Sequence, residues 1–583
     1  MNYDLKQFLR EHKIAIFLAL LTSIIVAFPQ VYFRIDHKDL YRDGVEAIEL
    51  LPDSPRSALV REVQDGHPGI GSIYYKDGKD DPYVYQPLQP MVVAYMGQMF
   101  SLDINNTILL SRFILPLIVF LLIYCFVFLL SKDKLAALSS AALLLLADSI
   151  LSFSGASRLL AGSSPSNFLQ LARPVNPAMT YIPFFAFLVV FWLFYRKRDW
   201  RLGLASAILL GLNFYNYFYS WTFLYAFGAI LILIFLFQKK WSEATRLGSV
   251  FLGALIVAIP YFINLYHISL YSTSGDVSAR FGMVLSHAPM FVSLTAIVAL
   301  VIFFLGFPKE DREKYFFSLA LLLTPFVTHN QQILTGRIMQ VDHYHWFFNK
   351  PMAVIMVLLV IFHWLGRQQL ASYKKALVVL IILVSVFTGV FTQAVSYSSD
   401  RRDGGNIAVE RQKYAPVMNW LNENAEIESV VLANSEISHL TVIYTSLNVF
   451  HYISAHLSLA ATEERIRNAL YTFYRLEGVG VKEAPEVLGA ERGYISASIY
   501  GLYYRELLGS YEAMPDEKFE EIIALYKETL STPTPVWLEQ IFAKYKVEYI
   551  VWDKESDPLW RLDQYKFLDK TAEFDDLVIY RVK

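Results

Sequence analysis

The chain has 583 residues, of which 55% are hydrophobic and 18% are charged. Soluble domains carry about 25% charged residues, and the apolar residues here form long runs, so a soluble globular enzyme is excluded. The formal net charge of −2, from 51 Lys and Arg against 53 Asp and Glu, excludes a strongly basic surface for nucleic acid. The single cysteine, Cys125, lies in an apolar run, which excludes a disulfide framework and a cysteine-rich zinc site.

Eleven apolar runs predict membrane-spanning helices, because a helix of roughly 18 or more apolar residues can cross a bilayer. The first run follows a basic stretch and is longer than the apolar core of a signal peptide, so we interpret it as an uncleaved anchor. The predicted spans are 14–33, 108–131, 134–153, 178–195, 202–218, 221–238, 247–266, 289–307, 315–328, 351–366 and 374–395.

The distribution of Lys and Arg predicts the orientation. With the N-terminus in the cytoplasm, eighteen of these residues fall in inside segments, whereas only Arg158, Arg173, Arg280 and Arg337 fall in short outside loops. The sequence therefore predicts a multi-pass protein of the plasma membrane. Residues 1–395 form the transmembrane domain with a long first outer loop at 34–107, and residues 396–583 form an extracytoplasmic soluble domain.

The first outer loop is rich in acidic residues, and for any single one an ordinary solvated position is the more common explanation. Asp53 or Ser54 can cap a helix that has Pro55 in its first turn and ends at Gly66. A second segment, 81–100, has prolines leading into an amphipathic helix that could lie along the membrane interface.

This order of features resembles the C-type (GT-C) glycosyltransferases, and in particular the aminoarabinose and protein O-mannosyl transferases. The residues that carry the resemblance are Asp53, Arg56, Ala58, Glu62, Gly66, Pro87, Leu88 and, at the head of the second span, Arg112. The resemblance implies a GT-C-like fold, a polyprenyl-phosphate sugar donor and inversion at the anomeric carbon.

A carboxylate beside the membrane can deprotonate an acceptor hydroxyl as it attacks the sugar. Asp53 is the leading candidate for this base. Glu62 and Asp65 are further catalytic candidates, and Asp36 and Asp43 are alternatives.

Arginine residues are rare outside, and a guanidinium suits a phosphate group well. Arg173 and Arg337 are candidate ligands of the donor phosphate, with headgroup contact or a cap on a backbone carbonyl as the alternatives. Arg112 is a further candidate substrate-binding residue. Asn176 lies where related enzymes often have a second Asp. It can bind a sugar hydroxyl but cannot act as a base, which favours catalysis by one carboxylate.

The loop before the tenth span contains many hydrogen-bonding residues, and Gln331, Gln332 and His343 are candidate substrate-binding residues. A zinc site at His343 and His345 has little support, because no Cys or fixed acidic partner accompanies them. No metal ligand is assigned, and the sequence leaves any divalent cofactor unknown. The aromatic run 214–223 is typical of an interfacial belt, with sugar or lipid stacking as the alternative.

Residues 396–583 have a mixed composition that predicts an α/β domain. Strands are predicted at 430–434, 547–553 and 577–583, and helices at 405–424, 462–477 and 515–531. The junction near residue 430 resembles that of single-subunit oligosaccharyltransferases. However, residues 434–438 replace their Trp-Trp-Asp-Tyr-Gly peptide-binding motif, which disfavours Asn-glycosylation of protein.

The sequence thus predicts a membrane glycosyltransferase of the cell envelope, a hexosyl- or pentosyltransferase of GT-C type. Its partners are a lipid-linked sugar donor, an acceptor that is a glycan, lipid or protein, and the membrane, without nucleic acid. Transfer to protein in the manner of oligosaccharyltransferases, a lipid or polysaccharide transporter, and a non-catalytic assembly protein are the alternatives.

Overall fold

The computed structural model describes residues 10–41, 45, 56–338, 340–367, 370–399, 407–501 and 514–583. It is mostly helical, with a small sheet near the C-terminus. The described helices up to residue 399 are α1 (Lys13–Asp36), α2 (Arg56–Gln64), α3 (Leu88–Gln98), α4 (Ile104–Ser131), α5 (Lys134–Leu146), α6 (Phe153–Leu160), α7 (Met179–Lys197), α8 (Trp200–Asn216), α9 (Phe218–Phe237), α10 (Trp241–Val257), α11 (Ile259–Ser269), α12 (Ser274–Arg280), α13 (Leu294–Gly306), α14 (Arg312–Thr328), α15 (Gln332–Thr335), α16 (Val341–Tyr344), α17 (Lys350–Arg367) and α18 (Ala371–Ser399). Two short antiparallel strands, β1 (Val284–Leu285) and β2 (Arg337–Ile338), lie between them.

Several helices are long and apolar enough to cross a membrane, so the protein is a helical membrane protein. Among the described residues six qualify: Lys13–Asp36, Ile104–Ser131, Pro174–Lys197, Phe218–Phe237, Asp342–Arg367 and Ala371–Ser398. Helices α10 and α11, bent by 53°, form a seventh if counted as one span. Helices α5 and α13 have 13 residues each and are about 20 Å long, shorter than the ~30 Å hydrocarbon core. A helix lies over each of the eleven predicted runs, but the count of eleven spans stays a prediction.

The described residues between 407 and 583 form helices around a five-stranded sheet. The sheet order is β4-β3-β5-β7-β6, with β3 parallel to β4 and β5, and β7 antiparallel to β5 and β6. The elements are α19 (Ile407–Glu410), α20 (Ala415–Asn424), β3 (Val430–Leu432), α21 (Ser435–Tyr444), β4 (Asn448–Val449), α22 (Glu463–Leu476), α23 (Ala484–Ala490), α24 (Arg492–Tyr500), α25 (Asp516–Thr529), α26 (Thr534–Tyr545), β5 (Val547–Asp553), β6 (Leu568–Phe574) and β7 (Leu577–Val582).

The predicted strands at 430–434, 547–553 and 577–583 are confirmed as β3, β5 and β7. The predicted helices at 462–477 and 515–531 are confirmed as α22 and α25, and α19 and α20 lie within the predicted helix 405–424. The helix predicted to end at Gly66 is confirmed as α2, and Gly66 has a φ of +104°, which a glycine adopts without strain.

Contacts define one face of the helical part, which we call the domain face because residues 407–583 pack on it. The first loop contacts residues 407–583 directly, because the backbone N–H of Val449 donates to the carbonyl of Tyr74 at 2.9 Å. Arg465 pairs with Asp77 at 3.0 Å. The buried Arg280, between α11 and α13, donates to the carbonyls of Ile499, His456 and Ala461.

The opposite face is held together by ion pairs between segments predicted to lie inside. Arg196 at the end of α7 pairs with Asp311 at 2.8 Å, and Lys374 pairs with Asp133. Asp133 and Asp311 also cap α5 and α14 by accepting backbone N–H groups, which fixes where these helices begin. The segments predicted to share a side of the membrane are therefore in contact with one another.

Candidate functional site

Polar residues meet at the domain-face ends of α7, α8, α9 and the 342–367 helix. Tyr217, between α8 and α9, has its Oη 2.7 Å from Nδ1 of His343, and their rings are nearly parallel, with centroids 6.1 Å apart. The ring of Tyr219 packs edge-on against His343 at 4.9 Å. His343 is thus held by two tyrosines from a different span.

The charges of two arginines from separate segments act on this histidine. Arg56, the first residue of α2, and Arg173, directly before the turn at Pro174–Ala178, both interact electrostatically with His343, as does Asp342. Arg173 also interacts with Tyr181, which in turn interacts with Asp148. We call Arg56, Arg173, Tyr217 and His343 the arginine cluster.

A buried hydrogen-bond chain positions the segment that carries Arg173. Arg112, only 3% exposed, donates from Nε to the carbonyl of Ala172 at 2.8 Å and from Nη1 to Oε1 of Gln30 at 2.7 Å. Gln30 in turn donates to the carbonyl of Asn105 at 3.1 Å. Arg112 was predicted to bind substrate, but its described contacts join α1, α4 and the residue before Arg173.

An ion pair lies next to the cluster. Lys350 Nζ is 3.0 Å from Asp148 Oδ1 and also donates to the carbonyl of Asp148 at 2.7 Å. The pair ties the end of α5 to the start of α17.

Asn176 is buried among other polar side chains. Its Oδ1 accepts a hydrogen bond from Thr180 Oγ1 at 2.9 Å, and Thr180 Oγ1 accepts one from Gln89 Nε2 at 2.5 Å. Asn216 donates to the carbonyl of Thr180 at 3.1 Å. Asn176 therefore belongs to a polar group that links α3, α7 and α8.

Glu62, a predicted catalytic residue, forms an ion pair with Lys79. It is 5% exposed, and Lys79 Nζ donates to its two oxygens at 2.8 and 2.6 Å. Burial raises the pKa of Glu62 and Lys79 lowers it. A small pocket beside it is also lined by Asp65, His67 and Glu428, so Glu62 lies where the first loop meets residues 407–583.

The other predicted acids divide into two groups. Asp65 accepts from Nε of Arg61, one turn earlier in α2, at 2.9 Å, and burial raises the pKa of Asp65. Asp36 accepts from Tyr397 Oη at 3.1 Å. Asp53 and Asp43 lie outside the described residues.

The predicted ligands of the 329–341 loop do not join the cluster through any contact that the structure describes. Gln331 donates to the carbonyl of Arg337 at 2.8 Å, and the buried Gln332 donates to that of Ala288 at 2.9 Å. Arg337 itself is exposed on β2, opposite Leu285 of β1. A role for these residues in substrate binding stays a prediction.

No group of three or more His, Cys, Asp or Glu side chains is arranged to hold a metal ion among the residues that the structure describes. The ring of His345 packs edge-on against that of Trp346. Among the described residues, His345 and His343 do not belong to a group that could hold a metal ion.

Sequence reasoning missed part of the cluster. Tyr217 was placed in the interfacial aromatic run, and Arg56 was noted only as a matching residue of the resemblance. Tyr217 lies where α8 and α9 break, between the apolar halves of a hairpin, and that break was the available sign that its hydroxyl has a partner in another segment.

No protein-family model matches the chain, and no curated protein matches it either. Among solved structures, an oligosaccharyltransferase of Archaeoglobus fulgidus tethered to an acceptor peptide is similar over 92% of this chain and 69% of that one, with a TM-score of 0.47 and 13% identity. The same organism's oligosaccharyltransferase AglB, in complex with an inhibitory peptide and a dolichol-phosphate, is similar over 93% of this chain and 69% of that one, with a TM-score of 0.46 and 13% identity. A likeness of this size carries no conclusion about activity.

Proposed function

We propose that the protein is a membrane glycosyltransferase that takes a sugar from a polyprenyl-phosphate donor and transfers it, with inversion, to an extracytoplasmic acceptor. The observation that carries this proposal is the arginine cluster. Two guanidinium groups from separate chain segments act electrostatically on His343, and the phosphate of a lipid-linked donor is the anion that we expect them to bind.

The chemistry of each residue supports its role. Arg56 and Arg173 bind the donor phosphate and stabilise the negative charge that the leaving group acquires when the sugar departs. If Tyr217 donates to Nδ1 of His343, the histidine keeps an Nε2–H to donate to a phosphate oxygen.

Asp53 is the proposed base that accepts the proton of the acceptor hydroxyl. Its support is the resemblance and its place in the sequence, three residues before Arg56. Glu62 and Asp65 are less suitable because their carboxylate oxygens already accept hydrogen bonds from Lys79 and Arg61 and are therefore less accessible to an acceptor hydroxyl, although burial raises the pKa of both.

The proposal places the domain face outside the cytoplasm, so that donor and acceptor meet there. The distribution of Lys and Arg supports this orientation. In this orientation residues 407–583 are extracytoplasmic.

The test is lipid binding by the purified full-length protein. Polyprenyl phosphate should raise its melting temperature and compete with the sugar-linked donor, whereas neutral polyprenol of the same length should do neither. The Arg173→Ala variant should lose the response to polyprenyl phosphate. Equal responses to phosphate and alcohol, in parent and variant alike, would contradict the proposal.

A further inference from the structure

A pocket of about 150 Å³ lies in the part of the protein formed by residues 407–583. Each of the three parallel strands supplies lining residues just beyond its carboxyl end: Asn434 and Ser435 follow β3, His451 and Tyr452 follow β4, and Asp557 and Trp560 follow β5. Ligands of α/β sheets commonly bind in the crevice at this edge. The pocket is separate from the arginine cluster.

Three carboxyl groups line the pocket: Glu477, Glu491 and Asp557. Tyr474 donates to Glu491 at 2.8 Å and Asn434 donates to Asp557 at 2.9 Å. The described lining residues include no Lys or Arg, so no cation of the pocket itself neutralises these groups.

Two buried side chains in the pocket have hydrogen-bonding atoms without a protein partner. His451 is 4% exposed, and neither of its ring nitrogens has a hydrogen bond. Trp560 is 2% exposed, and its Nε1–H has no acceptor. Leaving buried polar groups unpaired costs free energy, so these atoms indicate that a ligand or its water completes the site.

Burial and neighbouring acidic groups raise the pKa of two of these carboxyl groups. Burial, with Glu491 and Asp557 adding repulsion, raises the pKa of Glu477 to about 7. Burial and the nearby Asp553 raise the pKa of Asp557 to about 6, against the hydrogen bond from Asn434. A bound cation would relieve this repulsion.

We propose that this pocket binds a small organic ammonium group, carried by a ligand no larger than an amino sugar or a lysine side chain. The carboxyl groups accept hydrogen bonds from the ammonium ion, and His451 and Trp560 bind the polar atoms beside it. The ring of Trp560 lies nearly parallel to that of Phe473, with centroids 6.0 Å apart, and this aromatic wall suits a cation or the apolar face of a sugar.

Other ligands suit the pocket less well. An anion would meet three acids, and the described side chains do not form a metal site. The inference does not rest on the proposed transfer reaction, because it uses only residues of the pocket.

Calorimetric titration of the full-length protein in detergent tests the proposal with four probes. Glucosamine and Nα-acetyl-lysine methylamide carry the ammonium group on a sugar and on an amino-acid side chain. N-acetylglucosamine is the neutral counterpart of the first, and Ca²⁺ alone tests for a metal site. Asp557→Asn and Glu477→Gln are the pocket variants, and Glu528→Gln, outside the pocket, is the matched control.

At least one ammonium probe should bind while N-acetylglucosamine and Ca²⁺ do not, and the tighter of the two ammonium probes identifies the source of the group. Binding should weaken about tenfold or more in each pocket variant, as expected for the loss of a charge-assisted hydrogen bond, and stay unchanged in the control. Melting curves of the variants show that they are folded. The proposal is overturned if neither ammonium probe binds at millimolar concentration, if the neutral sugar or Ca²⁺ binds as well, or if the folded pocket variants bind like the parent.

Discussion

Arg112 donates from Nε to the carbonyl of Ala172 at 2.8 Å, across 60 residues of sequence. This hydrogen bond fixes the backbone directly before Arg173, which interacts with His343. A buried arginine on the second span thereby sets the position of an arginine in the proposed donor site.

We expect Arg112→Lys to weaken donor binding because it disturbs the backbone that positions Arg173. A lysine cannot donate to both Ala172 and Gln30 in the same geometry, and each lost hydrogen bond to a charged group costs about 1.5–3 kcal/mol. The melting temperature should fall, and the KM for the donor should rise in the protein that remains folded. Arg158→Lys, exposed on α6, is the control and should change neither. A folded Arg112→Lys protein with the parent's donor KM would show that Arg112 does not position the site.

The arginine cluster predicts which arginine variants bind polyprenyl phosphate more weakly. Arg56→Lys and Arg173→Lys replace a planar fork with a point charge, and each should weaken binding of polyprenyl phosphate by about ten- to a hundredfold. Arg337→Lys tests the prediction that this exposed residue also binds the phosphate. Direct titration with polyprenyl phosphate gives the affinities. Parent-like affinity in Arg56→Lys and Arg173→Lys would remove the observation on which the proposed function depends.

Topology can be measured with single cysteines in a Cys125→Ala background. Asp80→Cys and Ser531→Cys place exposed thiols in the first loop and in the C-terminal part, and both should react with an impermeant maleimide on intact cells. Glu310→Cys, exposed on the opposite face, should react only after the membrane is opened. Labelling of Glu310→Cys on intact cells, with protection of the other two, would reverse the orientation.

The pocket carboxyl groups predict a pH dependence of stability. Because the folded-state pKa of Glu477 is raised to about 7, the folded protein binds more protons than the unfolded chain between about pH 4.5 and 7. The free energy of unfolding contributed by this group therefore falls as pH rises through that window and is constant above it. Glu491 and Asp557 face Glu477, and Asp557, whose pKa burial raises to about 6, shares this effect.

Glu477→Gln should remove that fall, so the variant should be more stable than the parent at pH 8 and closer to it at pH 4.5. Melting temperatures of the two proteins, compared at each pH, cancel the contributions of histidines such as His451, whose pKa burial lowers to about 4. A constant difference between the two proteins across the range would contradict the assignment.

Strands and helices with a strong local pattern could be predicted from the sequence. The run 547–553 is apolar and β-branched because β5 is the central strand of the sheet and is buried on both faces. Strand β6 was missed, since it is an edge strand whose residues 569–571 are exposed and polar. Helix α21 was also missed, although Asn434 caps it by accepting from the N–H of Ile437.

The site was harder to predict because its contacts join distant segments. The ion pair of Glu62 with Lys79 depends on the path of the first loop, and no local pattern indicates it. Arg112 was predicted from its type and position to bind substrate, which stays a prediction, and its observed partners, Gln30 and Ala172, are 82 and 60 residues away. Residue type identified the arginines, and only the fold indicates which of them interact electrostatically with His343.

The most direct test of the proposed function is turnover by Asp53→Asn. Asparagine is nearly isosteric and can still cap a helix, but it cannot accept the proton of the acceptor. General-base catalysis contributes about 10²- to 10⁴-fold to rate, so release of sugar from a polyprenyl-phosphate donor should fall by that factor. Expression and affinity for polyprenyl phosphate should stay as in the parent, and Asp80→Asn, an exposed acid of the same loop, should keep full turnover. Turnover of Asp53→Asn within a few-fold of the parent would contradict the account and transfer the role of base to Asp36, Asp43 or Asp65.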